Sequence, residues 1–166
     1  EVWFDGANGS EADGKHQVYD WARYIRTVKE LQPGAVTAIM GDDIRWVGNE
    51  AGRGRAEEWS ATALAPASVG LKDPTPAVEA LTETSPDLGS RAILDEAKEL
   101  FWYPSEVDVS IRPGWFYHAS EDEKVRSLEA LKEIYFASVG SNSVLLLNVP
   151  PDRRGRIHEN DARRLH

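Results

Sequence analysis

The reactive groups of this chain are carboxylates. Asp5 follows the short apolar run Val2-Trp-Phe4 and opens an Asp-Gly turn, Asp42 and Asp43 close a second apolar run, Glu50 lies in a glycine-rich stretch, and Glu106 opens a third strand pattern. An acidic residue where a strand gives way to a loop sits where α/β folds concentrate chemistry, because the strand end is rigid and the loop is open to a ligand. Beside these carboxylates stand aromatic and polar groups. Trp46 and Trp59 lie near Arg45, Asn49 and Glu50, and Arg112, Trp115, Tyr117 and His118 follow Glu106. Such a mixture suits a sugar, whose apolar ring faces stack on tryptophan while its hydroxyls need donors and acceptors. Glycoside hydrolysis requires little else: one carboxylate attacks or stabilises an oxocarbenium-like centre, a second protonates the leaving oxygen, and no cofactor takes part. The plain alternative is that an acidic protein places carboxylates near loops by composition alone, and that Asp5 merely starts a turn.

Other chemistries find less support. The chain has no cysteine, which removes a disulfide framework, a thiolate zinc site and a thiol nucleophile. His16, His118, His158 and His166 include no pair at helical spacing, so a metal site is not expected. The net charge of −9 argues against a phosphate-tracking surface. Arg153, Arg154, Arg156, Arg163 and Arg164 read as a solvated helix end, with nucleic-acid binding a remote alternative. A length of 166 residues allows one ordinary domain, and no apolar run is long enough to cross a membrane.

The elements that must position these groups alternate. Glu1–Phe4 reads as a buried strand. A helix follows with Trp21, Tyr24, Ile25, Val28 and Leu31 on one buried face, capped by Asp20 and stopped at Pro33-Gly34. Ala35–Met40 is a short buried strand. Residues 61–86, rich in Ala, Pro, Ser and Thr, read as a surface loop or insertion without chemistry. Next come a helix with Ile93, Leu94, Ala97 and Leu100 on one face and Ser90 or Asp87 as cap, and a strand in which Val107, Val109 and Ile111 alternate with Asp108 and Ser110. A helix striped by Val125, Leu128, Leu131, Ile134, Tyr135 and Val139 ends at Gly140, Ser143–Val149 forms an apolar strand, and a last helix begins at Ile157. This alternation implies a parallel sheet with helices outside. About four strand-helix units amount to half of a (β/α)8 barrel; an open doubly wound sheet is the alternative, although the first strand lacks a glycine-rich phosphate loop after it.

Four segments, taken together and in order, carry a specific resemblance. Trp3-Phe-Asp-Gly6, Asp43-Ile-Arg-Trp-Val-Gly-Asn-Glu50, Glu106-Val-Asp-Val-Ser-Ile-Arg-Pro-Gly-Trp-Phe-Tyr-His118 and Leu145-Leu-Leu-Asn-Val-Pro-Pro-Asp152 resemble the α-L-fucosidases of glycoside hydrolase family 29 over nearly the whole chain. The resemblance implies a retaining exo-hydrolase of terminal α-linked fucose, acting through a covalent fucosyl-enzyme intermediate. It makes Asp5 the nucleophile. In the branch bearing Trp-Val-Gly-Asn-Glu, which prefers α1,3/1,4 linkages, the acid/base matches Glu50, with Glu106 as runner-up at the strand end away from the active face. Trp3, Trp46, Arg112 and Trp115 become candidate sugar contacts. The implied partner is a fucosylated oligosaccharide or glycoconjugate, with no cofactor, nucleic acid or membrane, in a secreted or periplasmic protein. The chain starts in mid-strand without an initiator Met, so residues 1–166 read as a fragment from the C-terminal half of the catalytic barrel, with the N-terminal half expected in the intact protein. The fragment alone is expected to be inactive, at most a weak carbohydrate-binding module, and to self-associate through its open edges.

Overall fold

The computed structural model describes residues 1–9, 14–66 and 81–166. Its strands are β1 (Val2–Phe4), β2 (Thr37–Ile39), β3 (Arg45–Trp46), β4 (Ala61–Thr62), β5 (Phe101–Trp102), β6 (Ser105–Ser110) and β7 (Val144–Asn148). The α-helices are α1 (Trp21–Leu31), α2 (Arg91–Glu96), α3 (Leu128–Ser138) and α4 (Glu159–Leu165). The expected alternation is present, and β3, β4 and β5 are added to it. Two-residue strands are too short to show a period of two, so only their partners define them.

β1 pairs in parallel with β2, a single parallel bridge from Ala38 to Ile44 leads on to β3, and β3, β6 and β7 follow in parallel. Chain order and spatial order agree across this array. Parallel neighbours need crossover connections over a face of the sheet, a role that α1 fills between β1 and β2 and α3 between β6 and β7. β4 and β5 form a separate antiparallel pair, so the start of the expected 61–86 loop is part of the fold: Thr62, Ala63 and Leu64 are buried. The middle of that segment, 67–80, lies outside the described residues.

β6 is the central element. All six of its residues are buried, the polar ones that alternate with Val107 and Val109 included. Val107, Val109 and the following Ile111 fill the face toward α3, where Gly52 approaches so closely that an added Cβ would lie 2.9 Å from Ile134 Cγ1. Glu106, Asp108 and Ser110 occupy the opposite face, because successive side chains alternate.

The helices start where the caps predict and bury less than their stripes suggest. Asp20 Oδ1 accepts from Arg23 N, Ser90 Oγ from Ile93 N and Ser127 Oγ from Ala130 N. No residue of α1 is buried, and Leu31 is 78% exposed; its aromatics pack on Phe4 of β1, 5.9 Å from Trp21 and 6.4 Å from Tyr24 between ring centroids. α2 ends at Glu96, leaving Ala97 and Leu100 beyond it. In α3 only Ile134 and Ser138 are buried. That helix runs past the expected Gly140 stop in a 3-10 turn to Asn142, which takes the left-handed conformation at φ +64. Asparagine tolerates that region, and here its Nδ2 donates to Glu58 O at 2.9 Å. Among the described residues no helix is long and apolar enough to cross a membrane.

Candidate active site

Because neighbouring strands of the array run parallel, their C-terminal ends lie along one edge. Asp5 leaves β1 there, Glu50 lies in the loop after β3, the segment Ile111–His118 follows β6, and Asn148 ends β7. This is the edge at which parallel α/β sheets carry ligands.

Asp5 is exposed, and its Oδ1 accepts from Ala7 N at 2.8 Å. It does initiate a turn, yet the other carboxylate oxygen makes no hydrogen bond among the described residues, so a turn role and a chemical role are compatible. Glu50 is also exposed. Its loop is shaped by Gly48 at φ +94 and by Asn49, whose Oδ1 accepts from Ala51 N at 3.0 Å and whose Nδ2 donates to Arg53 O at 3.2 Å. Among the described residues no hydrogen bond or ion pair joins Asp5 to Glu50.

The loop bearing Glu50 is held by a buried ion network that sequence reasoning missed. Arg45 pairs with Glu58, both side chains 1% exposed, and Arg45 Nε donates to Tyr103 O at 2.9 Å. Arg55 Nη1 donates to Val47 O at 2.9 Å and pairs with Glu58 at 3.0 Å, while its Nε reaches Ser85 O at 2.8 Å. Burial would raise the Glu58 pKa, but the two arginines outweigh it and hold the carboxyl below its usual range. Arg45 is therefore a structural cation, a correction to its reading as a ligand-recognising group. Trp59 is displaced from that reading too. With Ser60, Ala61, Leu94, Trp102 and Asn142 it lines an open groove of about 340 Å³, beside the N-terminal ends of β6 and β7 and away from Asp5 and Glu50.

The tryptophans expected to touch sugar are tethered to β6. Trp3 Nε1 donates to Glu106 Oε1 at 2.7 Å, and Trp46 Nε1 donates to Asp108 Oδ1 at 2.7 Å. Trp3 remains 37% and Trp115 38% exposed, leaving ring surface for a ligand. The backbone carbonyl of Trp115 accepts from Asn148 Nδ2 at 3.0 Å, and the same amide reaches Ser110 Oγ at 3.0 Å. Ser110 Oγ donates in turn to Gly114 O at 2.7 Å. Ser110 and Asn148 thus set the loop that presents Trp115, and the alternation of β6 marked Ser110 only as polar.

Arg112 differs from its expected part. It is 1% exposed; Nε donates to Asp161 Oδ2 at 2.9 Å, Nη2 lies 3.0 Å from Asp122 Oδ1, and the guanidinium sits 4.7 Å over the Tyr117 ring. Its charge is thus paired with Asp161 of α4 and with Asp122 of the 3-10 turn Ala119–Lys124. Of the acidic turn after β2, Asp43 is committed as well. Its Oδ2 accepts from Lys29 Nζ at 2.6 Å and Thr37 N at 2.7 Å, and these bonds, against burial, keep its pKa lowered. The arginine-rich end is solvated as expected, Arg154 pairing with Asp152 and Glu159.

Glu106 stands at the start of β6, fully buried, with its Oε2 unpartnered. Burial pushes its pKa up to about 7, the neighbouring Glu1 carboxyl adds to this, and the Trp3 N–H opposes it.

Comparison with known proteins places this arrangement in a family. The α-L-fucosidase family model matches residues 1–166. Alpha-L-fucosidase 1 of Arabidopsis thaliana is 39% identical over 165 residues, 98% of this chain and 29% of the plant protein. A Bacteroides ovatus structure, provisionally named an α-L-fucosidase, superposes with a TM-score of 0.85 at 60% identity, covering 99% of this chain and 28% of that one. A Ruminococcus gnavus family 29 fucosidase, solved in complex with fucose, gives a TM-score of 0.67 at 26% identity, covering 99% and 31% respectively. The chain spans less than a third of the length of each of these relatives.

Proposed function

The chain belongs to the α-L-fucosidase family, and from that premise we propose that it forms part of the (β/α)8 catalytic domain of a retaining exo-α-L-fucosidase. One observation supports the assignment of roles above the others. At the strand-end edge, Asp5 and Glu50 are exposed and, among the described residues, free of ion pairs, while elsewhere Asp43, Glu58 and Asp161 are held by cations. A carboxylate that must attack, or give and take a proton, needs to be unspent.

Asp5, ionised, attacks the anomeric carbon of the terminal fucose. Glu50, protonated, donates to the departing glycosidic oxygen, and a covalent fucosyl ester forms on Asp5. Glu50 then removes a proton from water, which displaces Asp5 with overall retention. This geometry requires the two carboxyls ~5–5.5 Å apart in the complete site. Trp3, Trp46 and Trp115 border the sugar, with Trp3 and Trp115 offering exposed ring surface. The Trp-Val-Gly-Asn-Glu motif supports a preference for α1,3/1,4-linked fucose on exported glycoconjugates, and hence a secreted or periplasmic protein.

Within the described array, β1 and β7 each have a partner on one side only. Val144 and Leu146 of β7 are 42% and 38% exposed. These open edges favour a site completed by further strands of the intact domain. They also favour a second reading of the isolated 166 residues, in which they bind sugar weakly without turnover and self-associate.

The test is hydrolysis of an aryl α-L-fucoside by the intact protein carrying Asp5→Ala or Glu50→Ala. Both substitutions should abolish most turnover, and azide should restore it in Glu50→Ala but leave Glu106→Ala unaffected. Undiminished turnover in either variant sinks the assignment. A monodisperse, active 166-residue chain would refute the need for further strands.

A further inference from the structure

Two residues before Asp5 stands Trp3, and four residues before Glu50 stands Trp46. Each donates its indole N–H to a carboxylate of β6, Trp3 to Glu106 across 103 residues of sequence and Trp46 to Asp108 across 62, both at 2.7 Å. Glu106 and Asp108 are two apart on one strand, so they share a face and lie ~7 Å from each other. We propose that they are positioning residues, a two-point rail on β6 that fixes the nucleophile arm and the acid/base arm relative to each other through the two indoles. This rests on the roles given above to Asp5 and Glu50.

The two arms are anchored unequally: the Arg45–Glu58–Arg55 network holds the loop of Glu50, and the arm of Asp5 rests on less. β1 is three residues long and β3 two, and among the described residues Asp5 adds its bond with Ala7 N. None of the partners named for that network lies on β1, whereas the indole bridges join both arms to one strand, β6. Their partners are unlike filler. Glu106 is 0% exposed with Oε2 unpartnered, and Asp108 is 5% exposed, whereas Val107 and Val109 between and beyond them pack as ordinary core. A buried carboxyl with one satisfied oxygen is costly, and an apolar residue would fill the space without that cost. What an apolar residue lacks is an acceptor for an indole N–H. The groups facing Glu106 are Glu1 and Trp3 from β1 and its preceding residue, Trp46 in register on β3, Val144 in register on β7, and Asp108 on its own strand. No cation is among them, which is consistent with a carboxyl that accepts from an indole and is held above its usual pKa.

The experiment uses the intact protein with Glu106→Ala, Glu106→Gln, Asp108→Ala and Asp108→Asn, reading kcat and KM on an aryl fucoside together with the indole N–H resonances of 15N-tryptophan-labelled samples. The alanine variants should lose ~10–100-fold in kcat with KM changed less than about threefold, as a small misplacement of reacting groups does. The amides still accept an indole N–H and should recover most of the rate. The Trp3 resonance should titrate in the wild type and stop titrating in Glu106→Gln. Alanine variants that keep the wild-type kcat overturn the proposal, whatever happens to their Tm. So does a Glu106→Gln variant as inactive as Glu106→Ala, because that marks an acid/base. Should an alanine variant fail to fold, the amide variants and the wild-type titration decide. If Asp5→Ala proves fully active, the functional reading fails by itself, and indole resonances unmoved by Glu106→Ala or Asp108→Ala would still overturn the anchoring separately.

Discussion

The carboxylates at the strand-end loops and those packed beneath them contrast sharply. Asp5 and Glu50 are exposed and carry no ion pair among the described residues, while Glu58 and Asp161 are buried with Arg45, Arg55 and Arg112 around them. Glu106 is a third kind, buried with no ion pair among the described residues. Acidic residues common in the same short sequence are thus divided by tertiary surroundings into groups that hold the fold, groups left unspent, and one kept close to neutrality. The lesson is that a charge already neutralised in the core stabilises structure and is lost to chemistry.

The largest test of this division is Asp5→Ala in the intact protein. Turnover of an aryl fucoside should fall on the order of ten-thousandfold, while Tm moves little, because an exposed side chain with one backbone bond is removed. Next comes Glu58→Ala, which strands Arg45 and Arg55 in the core and should destabilise by about 3–5 kcal/mol in denaturant unfolding. A loss under about 1 kcal/mol there would erase the distinction between spent and unspent carboxylates.

The pH dependence of stability separates the two buried kinds. Glu58 has its folded pKa depressed, so its contribution is present above the unfolded value of 4.5 and disappears as pH falls. Glu106 has its folded pKa raised from 4.5 to about 7, so its contribution is full below 4.5 and is lost as pH rises through 7. Glu106→Gln should therefore flatten the decline in Tm between those values and be relatively more stable than the wild type at pH 8. An unchanged Tm profile would place Glu106 with the ordinary carboxylates. The smallest effect is expected from Asp20→Ala, which removes the cap bond to Arg23 N and should cost about 1 kcal/mol. A cost near zero would show that α1, none of whose residues is buried, adds little to the stability of the array.

Local features were readable beforehand. Asp20, Ser90 and Ser127 announced helix starts because a cap and the amide it accepts are three residues apart. Val107, Val109 and Ile111 announced β6 because side chains alternate every residue. The four motif segments pointed to the fucosidase family before any coordinate. Harder to foresee were the features made by residues distant in the chain: Arg112 with Asp161 across 49 residues, Trp46 with Asp108 across 62, and the pairing of Ala61 with Trp102. The stripe of α1 was legible as amphipathic, but periodicity says which face is apolar and not whether anything covers it.

Family, parallel alternation and the identity of the acidic residues at the strand ends were all written in the chain, since each depends on residue type and short spacing. Which acids are neutralised, which arginines are buried, and which tryptophans are tethered came only from packing. Burial and pairing are properties of surroundings, and a side chain's surroundings are assembled from segments whose distance in sequence carries no signal of their contact in space.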